Sequence, residues 1–263
     1  MNKFNKDFYN RFGYERLGRT LSHRKLFQMR KECMESWKTL KEIYDPSKNW
    51  LKNTLLENIH HYSPLVKTFY ISGPFLDIMK EVIGPNIKTV TSQLSFKLPG
   101  NQKRVGWHQD NGYGELSPYN TVTTITALDD ADTENGCLWI IPGSHKLGQL
   151  KTDIKVTVEW KRKLNEIDMN IDDTEKIPVS MKAGESIMFD CLMLHKSEAN
   201  SSRRNRRFLF MRYADADAVE VYNDNKPRLG KLLCGSTKYN EVNDLKRIYK
   251  RLGTSKKFHF QNR

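Results

Sequence analysis

The sequence predicts an α+β chain whose core is a β-sandwich or barrel with helices laid against it. Three observations carry this. The first third places apolar residues at helical spacing, short period-two runs separated by turn clusters begin near residue 87, and no Pro- or Ser-rich linker divides the 263 residues. A chain of this length buries a core of its own, so folding needs neither a disulfide nor a structural metal.

Taken in order, Ser22 is a suitable N-cap, and Leu26, Met29, Cys33 and Trp37 follow three or four apart, which predicts an amphipathic helix over about 22–40. Two short helices are expected between Ser63 and Ile83, with Pro64 and Pro74 just inside their starts and Gly84 at the final stop. From Ile87 onward, Val90, Ser92, Leu94 and Phe96 alternate with Thr91, Gln93, Ser95 and Lys97. Further β-type runs occupy 121–128, 137–141, 185–194, 206–214 and 218–222, with turn clusters at 98–101, 134–136, 142–144, 182–185 and 200–202. The stretch from Gln149 to Lys176 is polar and irregular and reads as an insertion near one end of the barrel. The expected organisation is one domain: a helical part over about 1–86, a β core over about 87–222 and a basic tail over about 223–263.

Composition narrows the function classes. With 38% hydrophobic, 29% charged and 11% aromatic residues the chain is globular, not collagen-like, coiled-coil or disordered. No apolar run approaches the roughly 20 residues of a membrane span. The N-terminus mixes charges with aromatics and lacks a signal-peptide pattern, so a cytoplasmic location is expected. Cys33, Cys137, Cys191 and Cys234 show no paired spacing and read as reduced thiols.

The net charge is +13, and eleven Lys and Arg from Lys226 onward face only Glu241 and Asp244. Such an excess favours an anionic partner: a small carboxylate or phosphate, an acidic carrier protein, or nucleic acid. In the tail itself, the basic residues of KRIYKRL surround Leu245, Ile248 and Leu252 as on a surface helix. Nucleic acid is not the expected partner, although Tyr239, Tyr249, Phe258 and Phe260 in the tail are suggestive of base stacking.

Of seven histidines, His23, His60, His61 and His259 lie in polar helical or tail surroundings, and His145 reads as structural. His108 differs. In Trp107-His108-Gln109-Asp110 the imidazole and the carboxylate stand two apart in an extended segment, so they project to one side and can approach one metal ion. His195, closing the β run 87 residues later, is the candidate third ligand. Two imidazoles and one carboxylate on one face of a metal leave adjacent positions open, the arrangement that suits non-haem Fe(II) with a cosubstrate and dioxygen side by side. After His195 comes the turn Lys196–Asn200 and then Arg203-Arg204-Asn205-Arg206-Arg207, opening the strand FLFMRY. A dicarboxylate cosubstrate needs a fixed cation beyond the metal, and Arg supplies a forked one. Period-two reasoning does not choose between Arg206, which shares a face with Phe208, Phe210 and Arg212, and Arg207, which shares one with Leu209, Met211 and Tyr213.

The motifs WHQDNGYG, ALDDADTENGCLWIIPGSH and HKSEAN…RRFLFMRY, with FYNRFGYERLG and FLDIMKEVIGPNI before them, resemble the phytanoyl-CoA dioxygenase family of Fe(II)- and 2-oxoglutarate-dependent oxygenases over about residues 8–222. The resemblance implies a double-stranded β-helix, or cupin-like jelly roll, with N-terminal helices packed on one sheet. It implies iron ligands His108, Asp110 and His195, with Arg206 gripping the distal carboxylate of 2-oxoglutarate and Ser197 hydrogen-bonding the same group. Gln93 matches a strand position that contacts the cosubstrate, and Lys97 lies near the site. The sequence departs at Ile125, where some members place a Trp. Trp107, close to the ligands, and Tyr113, in the Gly-flanked loop after Asp110, are candidate substrate-facing residues.

The implied activity is hydroxylation of a small, anionic molecule using Fe(II), 2-oxoglutarate and O2, with release of succinate and CO2. A carboxylate at position 110 argues against halogenation, which needs that coordination position freed. Desaturation or cyclisation at the same centre, a substrate tethered to CoA or a carrier, and a non-catalytic jelly-roll binding protein are the alternatives.

Overall fold

In the computed structural model the described residues are 1–43, 55–100, 104–151 and 171–239, without the side chains of 39–43 and 113. Four α-helices occur among them: α1 Lys6–Phe12, α2 His23–Ile43, α3 Pro64–Ser72 and α4 Leu76–Val82. The strands are β1 Tyr14–Arg19, β2 Leu55–Glu57, β3 Ile87–Lys97, β4 Val105–His108, β5 Leu116–Ser117, β6 Val122–Ala127, β7 Leu138–Ile140, β8 Ile177–Val179, β9 Glu185–Asp190, β10 His195–Ser197, β11 Arg206–Asp215, β12 Val219–Glu220, β13 Lys226–Pro227 and β14 Leu232–Cys234.

Two antiparallel sheets form the jelly roll. The larger runs β1-β9-β6-β11-β3-β14, with β2 also on β3, and the smaller runs β4-β10-β7-β8. A third, small sheet joins β13, β12 and β5. The large sheet is buried on both faces. Its inner face carries Ile125, Ala127, Ile187, Phe189 and Phe208 against Leu138, Ile140 and Met193, while its outer face packs Leu94, Phe96, Leu209, Met211 and Tyr213 on the helices through Met29, Cys33, Phe69 and Tyr70. Burial on both sides makes β6 fully buried along its length, and its outward threonines are satisfied locally: Thr124 donates to Met211 O and Thr126 bonds Ser186.

The helices hold this outer face in place. Leu26, Met29 and Cys33 form the buried stripe of α2. The N-terminus of α3 is capped by Ser63, which accepts from the Val66 N–H, and by Glu32 of α2, which accepts from both the Ser63 hydroxyl and the Leu65 N–H. Proline occupies the first turn of α3 as the sequence suggests, but α4 starts only at Leu76, so Pro74 stands two residues before it.

Several expectations need correction. The helical first third also supplies two strands, β1 on β9 and β2 on β3. The run 185–194 is not one strand. It stops at Asp190, whose side chain accepts from the Leu192 N–H while its carbonyl accepts from Met193, so the chain turns and His195 opens β10 in the other sheet. In 218–222 only Val219 and Glu220 are extended, and a 3-10 turn follows. The start of the stretch assigned to the tail folds back, β13 onto β12 and β14 onto β3; residues 240–263, with the expected surface helix, lie outside the described residues, as does most of the 149–176 insertion. His60 is buried, its ring and backbone both bonded to Ser92. No described helix is long and apolar enough to cross a membrane.

Candidate active site

His108 ends β4 and His195 begins β10, and the antiparallel register sets the two directly opposite each other. Their rings lie 4.0 Å apart between centroids. One local device aims both. Each ring Nδ1 bonds the carbonyl two residues earlier, His108 to Gly106 at 2.8 Å and His195 to Met193 at 2.9 Å. A carbonyl only accepts, so Nδ1 carries the proton and each Nε2 keeps its lone pair for a metal.

Asp110 completes the cluster, but not from an extended strand as the sequence suggests. It is the first residue of a 3-10 turn, and extended Gln109 (φ −103, ψ 142) carries the chain into it. Gln109 is fastened three ways: its amide donates to Gly148 O and Leu192 O at 2.8 Å each and its oxygen accepts from the Leu150 N–H at 2.9 Å. Asp110 Oδ1 stands 3.6 Å from His195 Nε2, and the ligand atoms of His108, Asp110 and His195 all lie within 4.8 Å of one another. Oδ2 accepts from the Thr123 hydroxyl and lies 3.9 Å from Arg212 Nε.

The electrostatics prepare these groups as ligands. Burial, reinforced by His195, pushes His108 down to about 3, so its ring is neutral at pH 7. Burial alone raises the Asp110 carboxyl, but Arg212, the two histidines and the Thr123 hydrogen bond together outweigh it and hold the group below its ordinary value. Two imidazole nitrogens and one carboxylate oxygen converging from one side are the donor set expected of a site for a divalent transition metal with coordination positions left open.

The inner face of β11 continues the site. Arg206 is 1% exposed, its guanidinium stacked on Phe208 at 4.5 Å and donating through Nη1 to Ser95 at 3.2 Å. Its Nε is buried without a partner, and burial pulls its pKa down to about 9. Arg207 points the other way and forks onto Asp129 at 2.7 Å, so the structure separates the two arginines that periodicity left equivalent.

Opposite Arg206 on β3 stands Lys97. Its ammonium donates to Ser197 Oγ at 2.9 Å, to Ser197 O at 3.2 Å and to the Glu198 carbonyl, so Lys97 ties down the turn that leaves His195. Burial and then Arg206 pull it down to about 6. Gly136 lets this turn approach, because a Cβ there would lie 2.6 Å from Glu198 O, and its φ of 82° is strained for any other residue. Ser197 Oγ therefore accepts from Lys97 and keeps its own hydroxyl proton to donate, and Gln93 lies on the inner face of β3 opposite Phe210.

The two substrate-facing candidates fare differently. Trp107 is on the face of β4 opposite to His108, its Nε1 donating to Asp173 at 3.2 Å under the Lys196 ammonium, so it is turned away from the triad. The Tyr113 backbone belongs to the turn after Asp110, and its side chain lies outside the described part. Ile125, where a Trp was the alternative, forms an inner wall with Ile187 and Phe189. Sequence reasoning missed Gln109, Thr123 and Arg212; the signal for Arg212 was a charged residue in phase with Arg206 on an otherwise apolar strand.

The model of the phytanoyl-CoA dioxygenase (PhyH) family matches residues 9–208, which include all three candidate ligands and Arg206. The chain belongs to the phytanoyl-CoA dioxygenase family. A family member from Arabidopsis thaliana, phytanoyl-CoA dioxygenase, is 28% identical over 171 residues, covering 64% of this chain and 58% of its own length. The methylphosphonate hydroxylase of Gimesia maris is 27% identical over 232 residues, 84% of this chain and 85% of that protein. Among solved structures, the non-heme monooxygenase ThoJ superposes with a TM-score of 0.71 at 18% identity, covering 94% of this chain and 92% of that one. The last likeness bears on fold, and it agrees with the jelly roll described above.

Proposed function

We propose that this family member is a Fe(II)- and 2-oxoglutarate-dependent dioxygenase that hydroxylates a C–H bond of a small anionic molecule. The observation that carries the reading is the joint presence of an inward-facing His-Asp-His cluster and, on the same inner surface, a buried arginine whose Nε has no partner. A buried guanidinium donor without an acceptor is costly unless a ligand supplies one. The donor set fits ferrous iron, and the arginine fits the distal carboxylate of the keto acid.

Bound ferrous iron, with 2-oxoglutarate and dioxygen, would supply the oxidising power that breaks the C–H bond, the keto acid leaving as succinate and CO2. The chain supplies the rest. His108, Asp110 and His195 would hold the metal through Nε2, a carboxylate oxygen and Nε2, and Thr123 and Gln109 fix Asp110 in position. Arg206 would orient the cosubstrate, Gln93 would contact it, and Lys97 with Ser197 would hold the adjoining turn. The apolar wall of Ile125, Ile187, Phe189 and Phe208 excludes water from the reacting centre. The net charge of +13 and the substrate named for the Gimesia relative support an anionic substrate.

The test is metal-dependent conversion of 2-oxoglutarate to succinate, accelerated by substrate, with mass analysis for one added oxygen. His108→Ala is expected to abolish succinate formation; turnover by that variant at the wild-type rate overturns the reading.

A further inference from the structure

We propose that Arg212 anchors an oxyanion of the substrate, carboxylate or phosphonate, beside the metal position; this rests on the dioxygenase reading above. Arg212 is the last inward residue in the row Arg206, Phe208, Phe210, Arg212 along β11, flanked by Thr91 of β3 and Thr123 of β6. Its side chain is 13% exposed, and its Nε and Nη2 are buried without a hydrogen-bond partner. Among the described residues the one acidic group in ion-pair range is Asp110, 3.9 Å away, too far for a hydrogen bond. That carboxylate also faces the metal position through Oδ1 and is already bonded to Thr123 through Oδ2. A metal ion drawing on the Asp110 charge leaves Arg212 less compensated still, with two donors lacking an acceptor.

Arg212 is badly placed for the far end of 2-oxoglutarate. A keto acid chelating the metal carries its distal carboxylate three carbons from the chelating keto carbon, whereas Arg212 stands beside a ligand oxygen. Arg206, about 20 Å back along the strand by backbone count, is the arginine for that end. An oxyanion received by Arg212 brings the carbon one or two bonds from it next to the metal. The substrate class is then a short oxyanion oxidised at the carbon α or β to its charged group.

The experiment uses the full chain loaded anaerobically with Fe(II) and 2-oxoglutarate, whose visible charge-transfer band reports chelation and shifts when a ligand enters beside the metal. Methylphosphonate, butyrate and neutral butyramide are titrated as probes, and the tighter of the first two tells tetrahedral from planar oxyanion. Wild type is expected to bind an anionic probe at least tenfold more tightly than butyramide. Arg212→Met is expected to lose that preference while its affinity for 2-oxoglutarate stays within about threefold. Arg212→Lys, which keeps the charge, is expected to retain part of the preference and carries the test if the methionine variant does not fold. A wild-type band indifferent to all three probes overturns the proposal. So does a variant that loses 2-oxoglutarate instead, which would assign Arg212 to the near carboxylate of the cosubstrate. A wild type that forms no band overturns the dioxygenase reading itself, and this proposal with it.

Discussion

Arg206→Met separates a ligand-binding arginine from a structural one. In the free protein the Arg206 cation is nearly inaccessible, has one neutral partner, Ser95, and leaves Nε unsatisfied. Its pKa, brought down to about 9 by burial, makes the charged form on the order of 4–5 kcal/mol more costly than in water, a burden present in full at pH 7 because it is relieved only as pH rises past 9. Methionine keeps most of the aliphatic stem and removes the charge, and replacing a buried ion by an apolar group of similar volume is stabilising by roughly 1–4 kcal/mol where the ion is poorly paired. The ligand-free variant should therefore unfold higher, by about 2–4 °C for each kcal/mol gained. Binding should change in the opposite sense. Wild type at a 2-oxoglutarate concentration of about 100 times Kd gains roughly 2.7 kcal/mol. Loss of the charge-assisted bonds to the distal carboxylate costs about 3 kcal/mol, roughly a hundredfold in Kd, and shrinks that gain to about 0.4 kcal/mol at the same concentration. Differential scanning fluorimetry with metal, with and without 2-oxoglutarate, reads both effects. A methionine variant less stable than wild type yet still raised by 2-oxoglutarate to the wild-type extent refutes the assignment.

Three further perturbations test the surrounding argument. Arg207→Ala breaks the fork onto Asp129 and is expected to cost about 2–3 kcal/mol in urea unfolding while leaving the 2-oxoglutarate response intact, the reverse of the Arg206 result. Gln109→Ala removes three hydrogen bonds beneath Asp110 and should weaken metal affinity by about 10–100-fold in a competitive chelator titration; unchanged affinity shows that the turn holds itself. Lys97, depressed to about 6 when folded, binds a proton in the unfolded chain but not in the fold between that pH and its ordinary value near 10.5, so stability should climb with pH across this window and fall on acidification toward 6. Lys97→Met should flatten the climb by at most about 1.4 kcal/mol per pH unit, and parallel wild-type and variant curves from pH 6.5 to 9 contradict the depressed value.

Much of the fold was legible because burial here follows periodicity. Helix α2 shows its stripe and β3 its alternation in the bare sequence. The two strands missed in the first third leave little trace: β1 is polar with Leu17 as its one fully buried residue, and β2 has only three residues. The break after Asp190 was hidden for the opposite reason. The turn residues Cys191 to Leu194 are themselves apolar and buried in the barrel, so nothing in their composition marks a turn; the Asp190 hydrogen bonds make it. The two imidazoles and the carboxylate could be proposed from residue type and spacing, whereas the tilt of Asp110 depends on Gln109 reaching carbonyls 39 and 83 residues away.

The choice between Arg206 and Arg207 shows what periodicity lacks. Both faces of β11 are buried, one by the barrel and one by the helices, so hydrophobicity gives no direction. Charge does, but only in three dimensions. Asp129, with Arg30 also within 3.6 Å, offers a fork on the helix side, and Arg207 takes it. No carboxylate among the described residues pairs with Arg206 inside the barrel, and its cross-strand neighbour is another base, Lys97. Two like charges directly opposite in a sheet repel, and in a buried sheet the cost is larger. Burial and the Arg206 charge weaken Lys97 as a base, so of the two Arg206, the far stronger base, is the one whose charge is fixed. One fixed cation therefore remains facing inward without an anion, and a folded chain that tolerates such a group has left room for the anion to come from outside.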